Sequence, residues 1–336
     1  MAATSTPFSI LDAIVPTNRL RSLDAGHETG HLAFDQPYTQ QFRQIHTVTK
    51  STGITMELKA TEYEIDDGIA TIWLNRPHRM NAWTGRLHTE YRHLLDQANR
   101  DDAVQAIVVS GRGRGFCVGA DSEALEGHSK RGGYDSGTKE DIAKPGYGTD
   151  PNFDAAFAYH FGLQKLVIAA MNGPAAGVGL ALACFADIRF AVPGVKFTTA
   201  HAKLNLPAEY GLSWMLPRIV GLGRANDLLL TSRVFTSDEA FQIGFVNALH
   251  DADALMDATY EYVRNLITTV SPNSLRQTRW QIYRDLHRDA ASSVEESEQL
   301  INEMMKEDDY REGVQAFMEK RAPDWPSTRR HPEGTK

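Results

Sequence analysis

Residues 166–186 read LVIAAMNGPAAGVGLALACFA, 21 residues without a charge between Lys165 and Asp187. A run of this length has few destinations, because about 20 apolar residues either cross a bilayer as a helix or are buried in a protein core. Its middle decides between them. Asn172, Gly173, Pro174, Gly177 and Gly179 cluster there, where Pro removes a backbone donor and a lipid-facing helix would have no water to compensate. The run therefore divides into a buried strand LVIAAM, a glycine-rich loop NGPAAGVG and the start of a buried helix LALACFA. Strand, loop and helix start leave backbone N–H groups free at the positive end of a helix dipole, so this segment is expected to hold negative charge.

The rest of the chain narrows what that charge can belong to. With 336 residues there is enough chain for one large domain, alone or with an appendage. A formal net charge of −8 argues against nucleic acid as a partner, which normally requires a basic face, but leaves a phosphorylated small ligand held by a few local Arg or Lys. Cys117 and Cys184 are the only cysteines, so no disulfide framework or thiolate metal cluster is expected, and both read as small buried apolar residues. A reducing, cytoplasmic setting fits this usage. The start, MAATSTPFSILDAIVP, has neither a basic n-region nor a long apolar h-region, so no secretory leader is expected. No metal-ligand spacing is present.

Residues 1–58 lack sustained periodicity and are expected to form an N-terminal extension. A core is expected over 59–255, a helical region over 256–325 and a tail over 326–336. TEYEIDDGIATIWLN predicts two strands joined by a turn at Asp66, Asp67 and Gly68. In TGRLHTEYRHLLDQANRD, Leu87, Tyr91, Leu94, Leu95 and Ala98 share one helical face. AIVVSG (106–111) is a buried strand, and VGADSEALEG opens a helix capped by Asp121 or Ser122. Residues 127–152 form a long polar, glycine-rich insertion. ADIRFAV and KFTTA are further strands; Thr236 with Glu239, and a second pair within SSVEESEQL, have capping-box spacing. Asp187 is expected to tie down a strand end. Strands alternating with helices and then helices alone indicate an α/β core with a helical C-terminal part.

Five blocks in order carry a family likeness: FCVGAD (116–121), MNGPAAGVGLALACFADI (171–188), LNLPAEYGLSWMLPRIVGLGRA (204–225), TSDEAFQIGFVNAL (236–249) and YREGVQAFMEKR (310–321). Together they resemble the crotonase, or enoyl-CoA hydratase/isomerase, superfamily over roughly residues 60–322. The resemblance implies an α/β fold: a ββα spiral with two roughly perpendicular sheets and a helical C-terminal region that packs into a homotrimer or a dimer of trimers. It also implies an acyl-CoA thioester substrate, no cofactor beyond its coenzyme A moiety, and stabilisation of an enolate by two backbone N–H groups, which map to Ala120 and Val178. The negative charge awaited by the glycine-rich loop is then the thioester oxygen.

The two glutamates that hold water in hydratases of this family map to Ala181 and His201, so both carboxylates are missing. A third position, a carboxylate in some isomerases, maps to Glu209, which is present. A lone carboxylate suits a proton shuttle, and Leu206, Pro207, Leu212 and Trp214 are expected to raise its pKa. Double-bond isomerisation is therefore the leading expectation. Hydration by Glu209 with help from His201, and a crotonase-fold binding protein without catalysis, are the alternatives. His201 reads equally as a structural filler, and Tyr210 and Trp214 as pocket wall. For coenzyme A the resemblance points to Arg76 and Arg79, with Ala82, Val118 and Ala120 along the adenine and pantetheine path. Lys130 and Arg131 in the insertion are further cationic candidates.

Overall fold

In a computed structural model, residues 56–133, 135–138 and 142–328 are described. Residues 1–55 and 329–336 lie outside them, as do nearly all of the expected extension and tail. The chain enters a hairpin, β1 (Thr61–Asp66) and β2 (Ile69–Leu74), whose turn carries positive φ at both Asp67 (48°) and Gly68 (76°). Two left-handed residues in succession match the right-handed twist of the strands, which is why Asp-Gly closes a two-residue hairpin. Helix α1 (Gly85–Arg100) starts where the Thr84 side chain accepts from the Leu87 N–H, and the five apolar positions expected on one face are all buried.

β3 (Ala106–Gly111) and β4 (Leu166–Met171) follow in parallel, separated by α2 (Ser122–Arg131). β5 (Ala175–Ala176), α3 (Val178–Cys184), β6 (Ile188–Ala191) and β7 (Lys196–Thr198) complete the central part. The strands form two sheets, β1-β2-β3-β4-β6-β9 and β5-β7-β8, with β8 at Phe235–Thr236 and β9 at Ala248–Leu249. Both faces of the larger sheet are covered. Ile107 and Val109 of β3 join the main core, whereas Ala106 and Val108 join a second core with Val263 and Ile267. This alternation explains why AIVVSG reads as an unbroken apolar run rather than as half-polar.

Helices α4 (Leu212–Val220), α5 (Leu222–Thr231) and α6 (Ser237–Gln242) cross from the small sheet. The C-terminal helices are α7 (Leu255–Thr269), α8 (Pro272–Asp285), α9 (Ala290–Met304) and α10 (Asp308–Glu319). α8 is clamped to the sheet through Asp187, whose carboxylate accepts from the Val167 N–H at 2.7 Å, Arg279 Nε at 2.8 Å and the Tyr283 hydroxyl at 2.6 Å. Asp187 thus holds a strand end, as expected, and a helix as well.

Three local expectations need correction. α2 runs to Arg131, five residues into the expected insertion, and stops at Gly132 in the left-handed region (φ 67°). α9 begins earlier than its Ser/Glu spacing suggests, because Asp289 caps it by accepting from the Ser292 N–H, while Glu296 pairs with Arg284 and Arg288. At α6 only half of the box exists: Thr236 accepts from the Glu239 N–H, but the Glu239 carboxylate turns to Arg233.

Candidate active site

Two chain segments meet at the glycine-rich loop. Ala176 N donates to Cys117 O at 3.0 Å, and the N–H groups of Phe116 and Cys117 both reach Pro174 O at 3.2 Å. The approach is so close that a Cβ on Gly179 would stand 2.0 Å from Cys117 O, which leaves room only for glycine. On the other side Trp83 N donates to Gly119 O and Asp121 N to Trp83 O, so Ala120 is held in a bridge with its own N–H uncommitted. Val178 opens α3, two residues earlier than LALACFA suggests, because β5 ends the loop and Gly177 (φ 48°) turns the chain directly into the helix. No preceding turn exists to accept its N–H. Among the described residues, neither the Ala120 nor the Val178 N–H meets an acceptor. Two free donors in adjoining segments, one at a helix start, can bind an oxygen on which negative charge develops.

Pairing of β5 with β7 carries residues 199–201 to the same place, with Gly177 N bonded to Thr198 O. His201 is buried and its Nδ1 finds no partner; Ala181 lies fully buried in the core. Glu209 sits in the turn between His201 and α4, half-buried, with Oε2 shielded from solvent and without a hydrogen-bond partner. Burial pushes its carboxyl above the ordinary value, offset in part by its own N–H and by nearby His201. The apolar surround differs from expectation. Leu206 and Pro207 are exposed and only Leu212 is fully buried, because left-handed backbone at Asn205 and Tyr210 holds residues 205–211 as a surface turn. Trp214 stacks on His287 and lies 6.0 Å from Phe161.

The residues expected along coenzyme A are brought together. Residues 76–83 and 118–121 lie side by side, with Val118 N on Met80 O at 3.3 Å. Arg76 donates to Ala82 O and to Asp121, and Arg79 donates to Asp121 and Glu123. Asp121 is therefore more than a helix cap. Burial works to raise its carboxyl, but hydrogen bonds from Arg79 and Arg76, with the Glu123 N–H, hold it down at about 2. Two guanidiniums converge on the Asp121 carboxylate beside the free Ala120 N–H, with Glu123 as a second partner of Arg79. Lys130 and Arg131 instead pair with Glu126 and Asp135 beside them.

Sequence reasoning did not anticipate a ring wall linking these groups. Trp83, bridged to Ala120, lies 5.8 Å from Phe157, and Phe157 lies 5.2 Å from Tyr210, the neighbour of Glu209. Phe157 holds an unusual backbone, φ 64° and ψ −38°. A His160 network steadies it: with Nδ1–H donating to Phe157 O at 2.6 Å, Nε2 is left to accept from the Tyr91 hydroxyl at 2.8 Å. Burial lowers the His160 pKa to about 3, which keeps the ring neutral and fits this donor and acceptor assignment. Non-glycine residues in this region are costly and gather at working sites. Among the described residues, no group of three His, Cys, Asp or Glu is placed to hold a metal ion, and no helix is long and apolar enough to cross a membrane.

Known proteins carry the same architecture. The chain is 31% identical over 273 residues to 1,2-epoxyphenylacetyl-CoA isomerase of Escherichia coli, covering 77% of this chain and 95% of that protein. It is 30% identical to enoyl-CoA hydratase ACTT3 of Alternaria alternata, over 80% of this chain and 86% of that one. The solved structure of an enoyl-CoA hydratase/isomerase from Mycobacterium paratuberculosis superposes with a TM-score of 0.68 at 26% identity, over 81% of this chain and all of that one. The sequence profile of enoyl-CoA hydratase/isomerase matches residues 64–328. With the five blocks, both sheets and the C-terminal helices in place, the chain belongs to the enoyl-CoA hydratase/isomerase family, the crotonase superfamily, whose members act on acyl-CoA thioesters.

Proposed function

We propose that the protein is an enoyl-CoA double-bond isomerase in which Glu209 shuttles one proton. The thioester oxygen lies between the Ala120 and Val178 N–H groups. The Glu209 carboxylate removes a C2 proton from a 3-enoyl-CoA, the electron pair delocalises to the thioester oxygen, and the dienolate takes the same proton back at C4. The double bond moves from C3–C4 to C2–C3, and no water or group beyond the substrate's own coenzyme A enters the balance. Arg76, Arg79, Ala82 and Val118 border the coenzyme A path.

The observation that carries this reading is the Glu209 carboxyl: an unpartnered, shielded oxygen with a raised pKa, next in the chain to Tyr210, which ends a line of rings running to Ala120. A general base near its operating pH is built this way. The name of the Escherichia coli relative, an isomerase of an arylacetyl thioester, favours the same class. Hydration is disfavoured by Ala181, which puts a methyl group in the core where a water-holding carboxylate would be needed. His201 serves as a neighbour that partly offsets the rise in the Glu209 pKa.

The test is to incubate the protein and a Glu209→Gln variant with 3-enoyl-CoA and with 2-enoyl-CoA. Conversion of the first without mass change, lost in the variant, supports the shuttle; gain of one water by the second replaces it with hydration. A homotrimer or dimer of trimers completes the reading. The C-terminal helices leave Ile301 and Phe317 bare, the latter 81% exposed, and light scattering of the purified protein tests the assembly.

A further inference from the structure

We propose that Arg92, His88 and Tyr159 form an anion-accepting subsite that receives a carboxylate at the far end of the acyl group. This rests on the placement of the thioester at Ala120 and Val178.

Arg92 is only 6% exposed, yet no carboxylate among the described residues reaches it. Asp96, one turn along α1 and the natural partner, is taken by Arg100 at 3.1 Å, and Glu90 is taken by Arg86. The Arg92 guanidinium lies over the rings of Tyr159 and Tyr147, at 4.9 and 5.4 Å, and its Nε donates to nothing. The Tyr159 hydroxyl, fully buried, is also unpartnered, and so is Nε2 of His88, buried one turn earlier on α1. Three shielded polar atoms from two parts of the chain are thus left without a partner, with the Arg92 charge lying against the Tyr159 ring. Native interiors rarely leave such groups unanswered. A guanidinium fork flanked by a hydroxyl and an imidazole is suited to a carboxylate, which accepts through both oxygens.

Position ties the cluster to the proposed reaction. The His88 ring stacks on Phe157 at 5.6 Å and lies 5.6 Å from Trp83. Those two rings lead, respectively, to Tyr210 beside Glu209 and to Ala120. Trp83 and Phe157 thus connect the proposed thioester position to His88, and Arg92 lies one turn further along α1. Tyr91 and His160, nearby, satisfy each other and take no part.

Matched saturated acyl-CoA thioesters, which bind but do not react, provide the test. For each chain length one member ends in a methyl group and the other in a carboxylate, and dissociation constants are measured by calorimetry for the unaltered protein, Arg92→Met and Tyr159→Phe. The carboxylate member is expected to bind about tenfold tighter than its methyl partner at one length, as a charge-assisted bidentate contact gives. Arg92→Met should abolish that preference with methyl-ended affinity unchanged. Tyr159→Phe, which removes one oxygen and keeps the ring, should reduce it. If both members bind equally at every length, or if the preference survives Arg92→Met, the subsite does not exist. If acetate raises the Tm only while Arg92 is present and the thioesters show no preference, the cluster takes free anions and the acyl assignment is overturned. Failure of every thioester to bind would instead sink the underlying thioester reading, and this subsite with it.

Discussion

Replacing Gly179 by alanine tests the heart of the site with a single methyl group. The added Cβ would lie 2.0 Å from Cys117 O and 2.8 Å from both Cys117 C and Cβ, whereas carbon contacts become comfortable only near ~3.5 Å. Something must retreat by more than ~1 Å, and both neighbours are backbone-bound: α3 begins at Val178, and Cys117 O accepts from Ala176 N at 3.0 Å. The segments carrying the Ala120 and Val178 N–H groups are forced apart. Misplacement by ~1 Å costs roughly 100-fold in rate, and loss of one oxyanion donor ~3 kcal/mol of barrier. Gly179→Ala is therefore expected to lower kcat/KM for 3-enoyl-CoA by about 100-fold or more, with an overpacking cost of ~1–3 kcal/mol in stability. Gly223→Ala is the control: it sits in α5, has nothing within 4 Å of the added methyl group, and should gain up to ~1 kcal/mol with unchanged activity. Rates and thermal melts of both variants decide the matter. A folded Gly179→Ala protein within about threefold of normal kcat/KM would refute the placement of the two donors.

Other perturbations have equally definite signs. Glu209→Gln should remove activity yet raise Tm at neutral pH: the folded pKa lies above the unfolded value, so the native state keeps its proton longer and stability falls as pH rises from roughly 4 through the raised pKa. Melts of both proteins across pH should converge in acid, and in the active enzyme kcat/KM should climb through the same window. Asp121 behaves oppositely. Its depressed pKa of about 2 gives stability that is complete above its unfolded value near ~3.9 and lost as pH falls towards 2. Asp121→Asn should cost roughly 2 kcal/mol in urea unfolding at neutral pH. Arg279→Met should cost about 3–5 kcal/mol, because Asp187 is left buried without its ion pair.

What the sequence made legible was whatever is written in short-range pattern. The DDG hairpin, the apolar face of α1 and the division of the charge-free run all follow from spacing a few residues long. Capping was harder in α9, where Asp289 and Ser292 compete for one role and the bond to the Ser292 N–H decides for Asp289. Pairings at long range left no mark. Arg76 and Asp121 are 45 positions apart, so their sharing with Arg79 could not be read. His88 and Arg92 likewise look like ordinary polar residues of an amphipathic helix; only packing of the 157–160 turn against them makes them buried and unanswered.

The Asp187 clamp bears on the order in which the molecule can become active. β4, which leads into the glycine-rich loop, starts beside a carboxylate whose Arg279 partner lies 92 residues later. On a ribosome the loop emerges long before the helix that fixes its base, and closing so long a loop is slow because its entropy is lost before contacts compensate. The two free amides should therefore acquire their final spacing only after α8 has docked, which makes assembly of the site a late event in folding, governed by a helix that touches neither donor.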